Sequence, residues 1–233
     1  MVAGRTSLFD FWAQVPGSAR VHPADAPIFA RFNRGGEPTH GFDLRCLPSN
    51  IDGPLKTARV VLLYLSPGMD ERDIEEADWP ESQRKYAERR AGTAPLRGPD
   101  DHNRGHAWWT ARTKRFGPWH DLQHQIAVLN IGAYHSKSFA DHALLAALPS
   151  SRACLDWAQD VLFPQAERGE RVVICLRAPT YWGLGTGGRF GEGLFVPKVN
   201  RGGHMLEDGD ELASRDDVVS AARQALARGP LSE

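Results

Sequence analysis

Three apolar runs, almost free of polar residues, constrain this chain more than any other feature. They are Ala58-Arg59-Val60-Val61-Leu62-Leu63-Tyr64-Leu65, Ile126-Ala127-Val128-Leu129-Asn130-Ile131 and Arg171-Val172-Val173-Ile174-Cys175-Leu176. A half-exposed strand alternates apolar and polar residues; these runs do not, so both of their faces must be covered, as in a parallel sheet. Helical patterns lie between and around them: Ser7 to Gln14, Glu81 to Ala91, Ser151 to Phe163 with Leu155, Ala158, Val161 and Leu162 on one face, and Asp216 to Ala227 with Val218, Ala222 and Leu226 on one face. Buried runs alternating with helices predict an α/β fold, three layers deep (α/β/α), around a central, mostly parallel four-stranded sheet. A short run from Leu194 to Val199 supplies the fourth strand.

The 233 residues suit one such domain. Residues 1–57 are rich in Pro and Gly and read as an extension packed on a domain spanning 58–233. No stretch approaches the ~20 apolar residues of a membrane span, so no membrane partner is expected. Met1 to Gln14 lacks the basic-then-apolar order of a secretory signal, which leaves a cytoplasmic location as the expectation. Cys46, Cys154 and Cys175 are far apart and form no C-x-x-C pair, so neither a disulfide framework nor a cysteine metal site is expected.

The formal net charge is −1, so a nucleic-acid binder of this composition must concentrate its cations on one face. Arg104, His106, Arg112, Lys114 and Arg115 do so in sequence, interleaved with Trp108 and Trp109, in what reads as a long loop from Gly92 onward. The same residues also fit a solvated basic loop. The acidic residues cluster elsewhere, at Asp70 to Glu76 and Glu207 to Asp217.

Ligands of parallel sheets bind beyond the carboxyl ends of the strands. Segments 64–70, 130–137 and 200–206 should therefore meet at one cleft. In the first, Tyr64-Leu65-Ser66-Pro67-Gly68-Met69-Asp70, the Pro-Gly turn can expose backbone N–H groups. In the second, Asn130 interrupts an apolar strand and needs partners for a donor and an acceptor. It either holds a neighbouring loop or reads the edge of a planar base, since an amide complements uracil O4 and N3. In the third, Arg201-Gly202-Gly203-His204-Met205-Leu206, the histidine can sit exposed at the cleft and donate to an oxyanion. Gly183-Leu184-Gly185-Thr186-Gly187-Gly188 satisfies G-x-G-x-x-G, but a strand pattern follows it where a dinucleotide site needs a helix, so it reads as a flexible loop.

The order of these segments resembles the uracil-DNA glycosylase superfamily over roughly Ala58 to Ala227. That family's first motif takes forms such as G-Q-D-P-Y, G-I-N-P-G or G-E-A-P-G, matched here by Tyr64 to Gly68. Its uracil-reading asparagine is matched by Asn130, and its second motif, usually H-P-S, by His204-Met205-Leu206. The chain departs at Tyr64 (for glycine), at Ser66 (for Asp or Asn), at Leu65 (for the glutamate of the iron–sulfur branch) and at Met205 (for proline). That branch's four cysteines are absent, so no cofactor is expected.

The resemblance implies a DNA-repair hydrolase that cuts the N-glycosidic bond of uracil in DNA and leaves an abasic site. Its partner would be uracil-containing DNA, with no obligate protein partner. It implies that His204 donates to uracil O2, that Asn130 reads the base edge and that Ser66 holds the water. Tyr64, Leu65, Pro67, Gly68, Asp70, Trp109 and His135 would line the base site, with Trp108 and Phe116 as further stacking candidates and Asp70 or His135 as further water-activating candidates. Ser136, Lys137 and Arg201 would meet phosphates, and Met205 and Leu206 would wedge the duplex. Two other classes fit the same residues: a nucleic-acid-binding protein without catalysis, and an enzyme acting on free nucleosides or nucleotides.

Overall fold

The computed structural model describes residues 7–32, 41–102, 105–139, 141–207 and 212–232. The architecture is α/β. Six strands, β1 (Ile51–Asp52), β2 (Val60–Tyr64), β3 (Ile126–Asn130), β4 (Val172–Cys175), β5 (Gly188–Phe190) and β6 (Leu194–Val196), form one sheet in the order β1-β3-β2-β4-β6-β5. The three apolar runs are β2, β3 and β4. They pair in parallel with each other and with β6, whereas β1 and β5 pair antiparallel at the two edges. The expected four-stranded sheet is thus a six-stranded mixed one. Its two extra strands are only two and three residues long, too short for a period to be read in sequence.

The helices are α1 (Leu8–Ala13), α2 (Ala26–Phe32), α3 (Glu71–Glu76), α4 (Pro80–Arg90), α5 (Gly105–Thr113), α6 (Trp119–Leu122), α7 (His142–Ala147), α8 (Pro149–Trp157), α9 (Phe163–Glu167) and α10 (Arg215–Leu226). Alternate strand residues divide between two cores, as the period of two requires. Val61, Leu63, Ala127, Leu129, Val173 and Cys175 pack with Leu8, Trp12 and Phe29 and with the helices from 142 to 167. Val60, Leu62, Tyr64, Ile126, Val128, Val172 and Ile174 pack with Leu122 and with Val218, Ala222 and Leu226 of α10. Residues before 58 therefore contribute core side chains and an edge strand as well as a covering.

Three further expectations are corrected. Residues 105–113 are helix α5 rather than loop; Arg104 lies outside the described residues. The helix expected from Ser151 to Phe163 carries a π-helical turn at Ala158–Leu162, between α8 and α9. One extra residue per turn rotates the face, so Val161, expected inward, is exposed while Leu162 is buried. The last parallel strand ends at Val196, not Val199. The glycine-rich stretch leads into a β5–β6 hairpin and not into a helix, which removes the geometry a dinucleotide needs.

Candidate functional site

Parallel register puts Tyr64 of β2 beside Asn130 of β3 at the carboxyl end of the sheet. The loops beyond them continue the pairing. Gly132 N–H donates to Leu65 O (2.8 Å), Ser136 N–H donates to Pro67 O (3.1 Å), and Gly68 bridges Ser136 in parallel. These contacts hold the 66–68 turn open beside Asn130, and nothing lies within 4 Å of where a Gly68 side chain would begin.

Between these loops and α5 is a cavity of about 320 Å³, at the small end of the range for ligand sites. Its wall includes Tyr64, Ser66, Pro67, Gly68 and Asp70 from the first segment, Asn130 and His135 from the second, and Trp108 and Trp109 from α5. Sequence reasoning missed the rest of the wall, chiefly Ser49, Asp52, Met69, Asp73 and Arg97.

Asn130 is 4% exposed. Its backbone is pinned on both sides, N–H to Asn50 O (2.8 Å) and C=O from Cys154 Sγ (3.2 Å). Its side-chain amide takes part in none of the side-chain hydrogen bonds between the described residues, and the residue lines the cavity. Buried amides are normally satisfied by protein, water or ligand, so this one is left to water or a ligand in the cavity.

The opposite wall is built on one buried carboxylate. Asp52 accepts from Arg97 Nε (2.8 Å) and from the Trp109 indole N–H (3.2 Å). Arg97 also reaches Ser49 Oγ (3.3 Å). Trp109 is thereby fixed with its ring edge-on to Tyr64, centroids 5.5 Å apart. Burial pushes the Tyr64 phenol up to about 12, against the pull of nearby Arg112, so the ring wall is neutral.

His135 and Asp73 complete the cavity. Asp70 caps α3, and Asp73 at the third helical position returns the contact by accepting from Asp70 N–H (2.8 Å). The D-x-x-D spacing of Asp70 and Asp73 is the one sequence signal that could have singled out Asp73. His135 donates from Nδ1 to Gly68 O (2.7 Å), with Asp73 Oδ2 3.5 Å away.

His204 is in a different concavity. It is exposed and lines a groove of about 200 Å³ with Arg112, Lys114, Arg115, Met205 and Arg215. Asn200 shapes this loop, its side-chain oxygen accepting from Gly202 N–H (2.8 Å) and His204 N–H (3.1 Å). Gly203 (φ +75°) lies so close to Tyr64 that an added methyl would come within 3.2 Å of the ring. Tyr64 thus separates Asn130 from His204, and the expected single pocket is two neighbouring ones. Slight burial and the positive charges of Arg112 and Lys114 lower the His204 pKa, which favours neutral imidazole.

Other expected contacts fall outside the cavity. Leu65 packs on the first core. Ser136 is buried, its N–H donates to Pro67 O and its Oγ has no partner, so it offers no exposed group to a phosphate. Lys137 lies in a shallow depression with Asp70, Glu71 and Glu75, an acidic neighbourhood. Phe116 is buried in the second core, against the groove rather than the cavity. Arg201 is exposed, and its carbonyl accepts from Arg177. Met205 packs on the second core, while Leu206 is 36% exposed with its N–H bound to Lys198 O.

Helix α5 joins the two concavities. Trp108, 44% exposed, lines the cavity and carries the Arg112 guanidinium over its ring, 3.2 Å from the centroid. Arg112 in turn donates to Gly202 O (2.6 Å). No helix among the described residues is long and apolar enough to cross a membrane, and no cluster of His, Cys, Asp and Glu there could hold a metal. No protein-family model, no curated protein and no solved structure matches the chain, so what the cavity binds has to be inferred from its own side chains.

Proposed function

We propose that this chain is a DNA glycosylase that receives an extruded uracil in the cavity and hydrolyses its N-glycosidic bond. The observation that carries the reading is the Asn130 amide, on a residue only 4% exposed, in the wall of a small cavity that also holds Trp108 and Trp109. A planar pyrimidine offers that amide a carbonyl for its N–H and an imide N–H for its oxygen. The inner parallel strands β3-β2-β4-β6 serve as the glycosylase-like framework.

The groove supports a nucleic-acid substrate over a free nucleoside. Arg112, Lys114 and Arg115 border the cavity on the side where a strand would continue, concentrating cations that a net charge of −1 hides. Extruding a base costs a few kcal/mol; stacking on an aromatic ring such as Trp108 or Trp109 contributes roughly 1–3 kcal/mol per base in return. In this reading His204 serves the strand path, since Tyr64 lies between it and the base. Asp70 and Asp73 place carboxylates in the cavity wall beyond the Asp52–Arg97 pair, which favours an oxocarbenium-like sugar in the transition state.

The test is release of free uracil from single- and double-stranded oligonucleotides containing one uracil. Charge reversal at Lys114 and Arg115 together should weaken binding at all sequences. It should also reduce the slope of log affinity against log salt by about 1.4–1.8, as expected for two lost phosphate contacts. An unchanged slope would remove the groove from the strand path. Tight binding with no base release would favour a non-catalytic base-binding protein, a reading that the position of His204 outside the cavity also supports.

A further inference from the structure

We propose that His135, oriented by Asp73, is the general base that takes a proton from the attacking water; this rests on the glycosylase reading above. The ring is 3% exposed and stands in the same wall as Asn130. Gly68 O can only accept, so the 2.7 Å contact fixes the hydrogen of a neutral ring on Nδ1. The lone pair is then on Nε2, which is buried without a partner, so a small shift of the ring or its neighbours admits the attacking water to it.

The other candidates in the cavity are already engaged. Asp52 is held by Arg97 and Trp109, and Asp70 caps α3 by accepting from Arg72 N–H. A Ser66 hydroxyl can hold a water but cannot deprotonate it at neutral pH.

Asp73 acts as a positioning residue with two tasks. Burial works to raise its pKa, but His135 and the charge of Arg97 outweigh burial and hold it below the ordinary carboxylate value. It is therefore anionic, and it stabilises the imidazolium formed when His135 accepts a proton. The α3 cap fixes its carboxylate, so little reorganisation accompanies the transfer. The groups facing the ring are Asp73 from α3, Asp43 from the segment before β1, whose N–H donates to His135 O (2.8 Å), and the cavity's Arg97, Asp52 and Asp70.

In the step itself, a water O–H bond breaks and its proton passes to Nε2. The water oxygen bonds to C1′ of the sugar. The C1′–N1 bond breaks with its electron pair remaining on uracil, which leaves as an anion and is protonated from the imidazolium or solvent.

The experiment pairs a uracil oligonucleotide with a 2′-fluoro analogue that binds but resists cleavage. His135→Gln and Asp73→Asn should each slow single-turnover release by about 100-fold or more, with affinity for the analogue nearly unchanged. The wild-type rate should fall on the acid side through one ionisation, and His135→Gln should lose that limb. The wild-type profile needs no variant, so a misfolded substitution does not stop the test. A wild-type rate flat on the acid side, a His135→Gln enzyme at full rate, or equal loss of rate and binding would each overturn the assignment while leaving a glycosylase. A wild-type protein that releases no uracil would instead fail the glycosylase reading, and the base would fall with it.

Discussion

Replacing Asn130 with alanine should lower uracil release by about 100- to 1,000-fold, the range seen when one oriented hydrogen-bonding group is removed from a closed site. The physical cause is the near-complete burial of this residue in the cavity wall. Asn130 is 4% exposed and its side chain makes none of the side-chain hydrogen bonds between the described residues, so its amide contributes recognition rather than stability. The same substitution should accordingly leave the melting temperature almost unchanged, because no intramolecular side-chain bond is lost. Release assays and thermal melts on the same protein check both halves. A variant with normal release would remove Asn130 from the site. A variant that melts far below the wild type would make the amide a structural group with a partner.

The largest effect on stability is expected at Asp52. This carboxylate is buried against two arginine side chains that are each 5% exposed: Arg97 at 2.8 Å and Arg89 at 3.7 Å. Arg89 also pairs with Asp101 at 3.2 Å, so it keeps a counter-charge when Asp52 is removed. Arg97 has no close ion pair with Asp101, and Asp73 is its more distant counter-charge. Asp52→Ala should cost about 3–5 kcal/mol, because it removes the directly bonded counter-charge of a buried cation. In a chain of this size that is on the order of 10 °C in melting temperature. Removing both charges, as in Asp52→Leu with Arg97→Met, should recover much of the loss. Asp52→Ala also frees the Trp109 indole, so binding of a base should weaken even under conditions where the variant is folded. A melting point within a few degrees of the wild type would mean that the pair is already solvated.

Much of the framework was legible in the sequence because it depends on local pattern. Uninterrupted apolar runs mark strands covered on both faces, and β2, β3 and β4 lie within them. The alternation that sends Val128 toward the second core sends Asn130 to the same face, one step past the strand's last apolar pair. Helix α4 begins with Pro80 and ends with Arg89 and Arg90, the charge and ring placements that a helix end favours. Segment 105–113 was less legible: its tryptophans and arginines read as loop, and it is a helix. Its stability comes from contacts far along the chain, Trp109 with Asp52 and Arg112 with Gly202, which local propensity does not contain.

The sequence by itself determined the α/β class, the three central strands and the position of Asn130 at a strand end, since periodicity and burial are properties of neighbouring residues. Tertiary structure decided which side chains share a cavity. It brought Asp52 to Arg97 across 45 positions and Gly68 to His135 across 67. It also put Tyr64 between Asn130 and His204. Those outcomes depend on the packing of whole loops against one another, where the free energy is spread over contacts that no short window of sequence records.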